Sequence, residues 1–148
     1  MQFRTTLLCA ALGLASLATA HADTLSKAKE NGQITLAYRE SSVPFSYLDN
    51  GKPIGMTVEL SQAVAEAVKK VLNQPALEVR WQAVTSQNRM PLLANGTIDL
   101  ECGSTTNNTM RAKEVGFAIN HFYTGTRLLV KKSSGIQNYA DLKGKTAA

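Results

Sequence analysis

From residue 57 onward, the apolar positions Leu60, Ala63, Val64, Ala67, Val68, Val71 and Leu72 recur at three- and four-residue spacing, with Glu59, Gln62, Glu66, Lys69 and Lys70 on the rest of the wheel. That period predicts an amphipathic helix, ended by the Asn73 to Pro75 stretch. On either side the period changes. Residues 34–38 form a short β-rich run that delivers Arg39 to its C-terminal end, and residues 77–84 alternate so that Leu77, Val79, Trp81 and Ala83 share one face. Trp81 is thereby expected in the core. Residues 98–102 predict a third strand. Between the second and third strands, Thr85-Ser86 reads as a helix N-cap ahead of Arg89, Leu92 and Leu93, with Asn95-Gly96 as the stop. The order strand, helix, strand, helix, strand argues for an α/β fold with a largely parallel sheet.

The flanking segments are less periodic. Residues 24–31 are polar and lysine-bearing, and Asn31-Gly32 supplies a helix stop or turn. Residues 40–47 mix hydroxyls with aromatics and read as a loop, followed by a strong turn signal at Asp49-Asn50-Gly51. Further on, residues 115–119 and 126–130 predict two more short strands. Residues 133–135 read as a loop and 139–145 as a short helix with a glycine stop, before residues 146–148 begin what could be another strand.

The N-terminus changes the picture of where the protein works. Arg4 opens a short positive region, residues 7–18 are apolar, and Ala20-His21-Ala22 is a small-x-small cleavage site. This predicts a secretory signal peptide over residues 1–22, with Ala18-Thr19-Ala20 as a second possible cut, and an apolar run too short to span a membrane. The mature chain then begins at Asp23. Of the two cysteines, Cys9 lies in the leader, so Cys102 has no intramolecular partner and reads as a small buried hydrophobe at a strand end.

An apolar content of 44% allows a real core, and the net charge of +5 is spread along the chain, with Lys69-Lys70 and Lys131-Lys132 the only adjacent basic pairs. No basic run or stacking aromatic series accompanies them, so nucleic-acid binding is not expected. His121 has no second histidine or carboxylate at metal-ligand spacing, so neither a metal nor another cofactor is expected. The tripeptides at Asn95 and Asn107 match the glycosylation sequon, which is short enough to occur by chance.

Candidate chemistry gathers in residues 99–111. A short strand ends in Gly103 and hands over to Ser104, Thr105 and Thr106, whose hydroxyls and backbone N–H groups can serve an anion. If residues 109–115 form a helical turn, the Arg111 guanidinium folds back over that cluster and takes a carboxylate bidentately. The alternative is an Asn/Ser/Thr-rich turn with a solvated arginine. Ser86 and Arg89 at the start of the second helix offer a further place for an anion. For Arg39 the alternative is an ion pair with Glu40 or Glu101.

Taken together, residues 39–47 (RESSVPFSY), 85–89 (TSQNR), 92–96 (LLANG) and 99–108 (DLECGSTTNN) resemble the amino-acid-binding periplasmic proteins of ABC transporters, most closely their glutamate/aspartate-binding members. The resemblance runs over nearly the whole mature chain. It implies a two-lobed, hinge-closing protein that binds without catalysis. By that resemblance Arg111, Ser104 and Thr106 take the α-carboxylate of L-glutamate or L-aspartate, and Arg39, Arg89 and Ser86 take the side-chain carboxylate.

The resemblance also implies a periplasmic monomer that delivers its ligand to an inner-membrane ABC permease. A complete member of the family is about twice as long. Residues 23–125 are accordingly expected to be lobe one without its returning segment, and residues 126–148 the crossover and the start of an incomplete lobe two. Two other readings stand beside this one: a gene fragment without function of its own, and a small-acid dehydratase of the same fold. The dehydratase would need Glu40 or Glu101 as its acid or base.

Overall fold

The computed structural model describes residues 23–125 and 127–146. The expected signal peptide and its cleavage sites lie outside the described residues, as do Thr126, Ala147 and Ala148. The chain divides into two compact units, one reaching Gly116 and one from Phe117 onward.

The first unit opens with helix α1 (Thr24–Asn31), started by the Asp23 carboxylate, which accepts from the Leu25 N–H and the Ser26 hydroxyl, and stopped by Gly32 at φ 65°. Strand β1 (Gln33–Tyr38) follows. The segment expected to be a loop is instead a small antiparallel sheet of β2 (Ser41–Ser42), β3 (Ser46–Asp49) and β4 (Lys52–Ile54). Asn50 and Gly51 both sit at positive φ between the paired Asp49 and Lys52, which makes the expected turn the two-residue connection of a hairpin. Helix α2 (Met56–Leu72), strand β5 (Glu78–Ala83), helix α3 (Arg89–Ala94) and strand β6 (Leu100–Glu101) complete the unit.

The main sheet has the order β5-β1-β6 with both pairings parallel, as the alternation of strands and helices predicts. Strand β1 is central and apolar on both faces. Ile34 and Leu36 pack with Ala28, Ala65 and Leu77, with Val68, Leu72 and Trp81 around them, while Ala37 packs with Val84 and Ile98 beside Leu92 and Leu93. A middle strand covered on both sides reads as an unbroken apolar run for this reason. Trp81 is half-buried against the first cluster, and its ring meets Tyr38 edge-on at 6.5 Å.

One polar residue ties these layers together. Asp99, whose side chain is 4% exposed, accepts from the backbone N–H of Thr35 at 2.8 Å and from Lys27 Nζ at 2.8 Å. Lys27 also donates to the carbonyl of Gly96. Helix α1, strand β1 and the entry to β6 are therefore joined through a single carboxylate.

Three expected elements differ. The strand placed at 98–102 is paired only at Leu100–Glu101. Residues 115–119 and 127–130 are not strands: among the described residues no ladder partner runs beside them, and without one an apolar segment gains nothing from extending. Ile119 is 93% exposed and Leu129 fully so. The second unit consists of 3-10 turns at Lys132–Ser134 and Tyr139–Leu142. The latter is the expected short helix in reduced form, with Asn138 and Asp141 capping each other's backbone N–H groups and Gly144 following at φ 75°.

Cys102 lies half-buried just past β6. Burial pushes its thiol pKa up, a hydrogen bond with Ser61 pulls it back, and the Glu101 carboxylate raises it again. The folded thiol holds its proton more tightly than an unfolded one. Its contribution to stability is therefore complete below the ordinary thiol range and is lost as pH rises through the folded value.

Two outcomes are expected. Asp99→Ala leaves the Thr35 N–H without its acceptor and the Lys27 ammonium without its counter-charge, with only the Gly96 carbonyl remaining to it, and should lower unfolding stability by about 2–3 kcal/mol, read by urea denaturation. Alkylation of Cys102 by iodoacetamide should run slower than that of a free thiol at mildly alkaline pH, and should match the free thiol once urea exposes it.

Candidate ligand-binding site

Because β1, β5 and β6 are parallel, their carboxyl ends lie along one edge of the sheet, and the chain order reverses across β1. In open α/β sheets such a reversal leaves a crevice between loops that diverge to opposite faces. Every site residue expected from the sequence follows one of these three ends: Arg39 after β1, Ser86 and Arg89 after β5, and Ser104, Thr106 and Arg111 after β6.

Arg39 is held by its backbone. Its N–H donates to Ser46 Oγ at 2.8 Å, and that buried hydroxyl donates back to the Arg39 carbonyl at 3.0 Å. The guanidinium is thereby aimed outward, and Nη1 donates to Ser86 Oγ at 2.9 Å. Ser86 is not the helix cap expected of it. Thr85 Oγ1 accepts from the N–H groups of Gln87 and Asn88, and Asn88 Oδ1 accepts from the Thr85 N–H, so the turn before α3 is closed without Ser86. Its hydroxyl is left for Arg39.

Arg89, the first residue of α3, is only 5% exposed. Its Nη1 lies 3.8 Å from Glu101 Oε1, an ion pair too long for a hydrogen bond, and Arg89 Nε, Arg89 Nη1 and Glu101 Oε1 are all buried without hydrogen-bond partners. Glu101 Oε2 accepts from Thr105 Oγ1 at 2.7 Å. Burial pulls the Arg89 pKa down, Glu101 offsets part of that, and the charges of Arg39 and Arg111 push it down further. An arginine remains cationic under such shifts, so the wall carries a charge that its surroundings resist. The carboxylate considered as an alternative partner for Arg39 belongs instead to Arg89.

After β6 the chain runs through Gly103, where an added Cβ would collide with the Glu101 carboxylate. Ser104 Oγ lies 3.4 Å from Ser42 Oγ, and both hydroxyls face the same space. The helical turn expected at 109–115 is a 3-10 turn at Arg111–Lys113. Arg111 folds back as the sequence suggests: its N–H donates to Asn108 Oδ1 at 3.0 Å, and Nη1 donates to the carbonyl of Thr106 at 3.0 Å. What it grips is backbone, and the Thr106 side chain is exposed.

The structure thus links Arg39 to Ser86, Arg111 to Thr106, and all three arginines through their fields at Arg89. Sequence reasoning missed three contributors: Ser42 and Ser46, hidden in what read as a loop, and Glu101 as the partner of Arg89. The Asp49-Asn50-Gly51 turn could have signalled the hairpin that carries both serines. A separate open cavity of about 600 Å³, lined by residues including Pro53, Ile54, Val58, Ala63 and Trp81, lies along α2 and contains none of the arginines. Its lining also includes Glu59, Gln62 and Glu66, and it holds no cationic side chain. Among the described residues no group of three or more His, Cys, Asp or Glu side chains could hold a metal ion.

An array of donors on one wall, with a guanidinium short of acceptors, suits an anion. Known proteins resemble the chain over most of its length. The L-glutamate/L-aspartate-binding protein of Pseudomonas aeruginosa is 57% identical over 124 residues, which is 82% of this chain and 41% of that protein. The glutamate/aspartate import solute-binding protein of Salmonella typhimurium is 54% identical over 129 residues, 86% of this chain and 43% of that one. The chain therefore spans about two-fifths of the length of these relatives. Among solved structures, an ancestral amino acid-binding protein, a precursor of cyclohexadienyl dehydratase, superposes with a TM-score of 0.67 at 26% identity, covering 81% of this chain and 51% of that one. The family model for bacterial extracellular solute-binding proteins, family 3, matches residues 34–146, and the chain belongs to that family.

Proposed function

We propose that this chain supplies the first wall of a cleft that binds L-glutamate or L-aspartate in the periplasm, for delivery to an inner-membrane ABC permease. The observation that carries the reading is the buried Arg89 guanidinium, with two nitrogens lacking acceptors, set among Arg39 and Arg111. Three positive charges so placed repel one another. A ligand with two carboxylates relieves that repulsion at both ends, whereas a monocarboxylate relieves it at one.

In this reading Arg111 takes the α-carboxylate together with Ser104 and Thr106, and its bond to the Thr106 carbonyl is exchanged for the ligand. Arg39 and Arg89, with Ser86, take the side-chain carboxylate. Residues 23–125 form lobe one, and residues 126–148 form the crossover and the beginning of lobe two. The protein acts as a monomer, without a cofactor, and returns its ligand unchanged. The names of the two bacterial relatives support an acidic amino acid over a neutral one.

The asymmetry between ligands has a physical origin. Glutamine offers Arg39 no counter-charge on closure and leaves Arg89 with only the unbonded Glu101 carboxylate, so the site rejects it more strongly than it attracts glutamate. Because the described residues build one wall only, a ligand held there stays largely wet.

Calorimetric titration of residues 23–148 with L-glutamate should accordingly show weak or undetectable binding; submicromolar affinity would overturn the one-wall reading. In the protein carrying both lobes, Arg111→Ala should weaken acidic and neutral amino acids alike, by about tenfold to a hundredfold. Arg89→Ala should remove a similar factor from glutamate while sparing glutamine. Equal losses for both ligands on removing Arg89 would show the two subsites to be assigned wrongly.

A further inference from the structure

Glu101 is unexpected at this place. A carboxylate beside a subsite for carboxylates competes with the ligand, yet this one is buried, with its side chain 3% exposed, and is built in from several directions. Thr105 Oγ1 fastens one oxygen at 2.7 Å. The other oxygen faces Arg89 Nη1 at 3.8 Å and has no hydrogen bond. Gly103 passes directly over the carboxylate, at a position where any side chain would displace it. The neighbouring residues thus hold Glu101 close enough to Arg89 to neutralise it and too far to bond it.

That separation decides what the pair does. At 3.8 Å in a buried setting the attraction between unit charges remains large, while the hydrogen-bonding capacity of Arg89 is not consumed. A direct bidentate pair would neutralise the guanidinium and also block it. No counter-charge would leave a buried cation beside two others, and Arg89 would then turn out to solvent.

We propose that Glu101 is a positioning residue for the acidic subsite: it stands in for the ligand carboxylate when the site is empty, keeping Arg89 in the wall with its donors free. The inference rests on the assignment of Arg89 to the side-chain carboxylate, but its test needs no amino-acid ligand. Gly103 and Thr105 belong to the same device, Gly103 by making room for the carboxylate and Thr105 by holding it back from the guanidinium.

The test follows the Arg89 Nε–H by ¹⁵N NMR in residues 23–148, using Arg89→Lys to assign the signal. In the wild-type chain this proton should exchange slowly with water. Glu101→Gln keeps the shape and an acceptor for Thr105 but removes the charge, and exchange should accelerate by at least about tenfold. Thr105→Val frees the carboxylate to close on the guanidinium, so there the exchange should become slower than in the wild-type chain. Because glutamine is nearly isosteric with glutamate, a purely steric role would leave the exchange unchanged. An Arg89 signal unchanged in Glu101→Gln overturns the proposal.

Should Glu101→Gln fail to fold, the double variant Glu101→Gln/Arg89→Met decides. If the damage comes from an uncompensated buried charge, removing Arg89 as well restores the wild-type thermal midpoint in large part. A double variant no more stable than Glu101→Gln alone overturns the proposal. Failure of glutamate to bind the two-lobed protein would leave these outcomes intact, so the two readings fall separately.

Discussion

The structure depends on β1 being the middle strand of a parallel sheet whose order reverses across it. Parallel pairing puts the carboxyl ends of β5, β1 and β6 on one edge, and the reversal sends the connections through α2 and α3 to opposite faces. A middle strand must be apolar on both faces, which Ile34, Leu36 and Ala37 provide. Once that strand is set, residues 39, 86, 89, 104 and 111 have little choice of neighbourhood. Asp99 then fixes how far β6 slides along β1, because its carboxylate is bonded to Thr35 and Lys27 at once. A slip there would move Ser104 and Arg111 away from the ends of the other strands.

On this frame the three guanidiniums are a cost. Arg39 spends part of its hydrogen-bonding capacity on Ser86 and Arg111 on the Thr106 carbonyl, both near water. Arg89 Nε and Nη1 are buried without a hydrogen-bonded acceptor. Folding selects strongly against such atoms, and they persist where something outside the empty fold completes them. The sense of the charge suits an anion, and three guanidiniums have capacity for more than one negative group.

Much of the frame was legible from periodicity. Helix α2 and strands β1 and β5 each carry a pattern long enough to identify, and their alternation implies the parallel sheet. The hairpin at 41–54 was not legible as strands, because Ser41, Ser42, Ser46 and Pro53 have weak β preference and their pairing comes from the turn at Asn50-Gly51. Residues 115–119 and 127–130 fail in the opposite way. Their composition suits a strand, but a strand is a relation between two segments, and among the described residues the second segment is absent. In the site, Arg39, Ser86, Arg89 and Arg111 stood out through motif resemblance, whereas Glu101 did not. A carboxylate near a strand end looks the same in sequence whether it faces solvent or a buried arginine twelve positions earlier.

The unsatisfied atoms also bear on where binding energy comes from. A wall whose donors are all bonded in the empty state gives them up on binding and gains only the difference. Here Arg89 Nε and Nη1 start with no hydrogen bond to give up, and folding has already dehydrated them. A carboxylate reaching them therefore gains close to the full strength of a charge-assisted hydrogen bond, with little reorganisation at the moment of capture. Arg39 and Arg111 already donate to Ser86 and to the Thr106 carbonyl, and exchange those bonds for any new acceptor. The buried arginine is thus the least satisfied donor of this wall, and the fold has placed it where α3 begins.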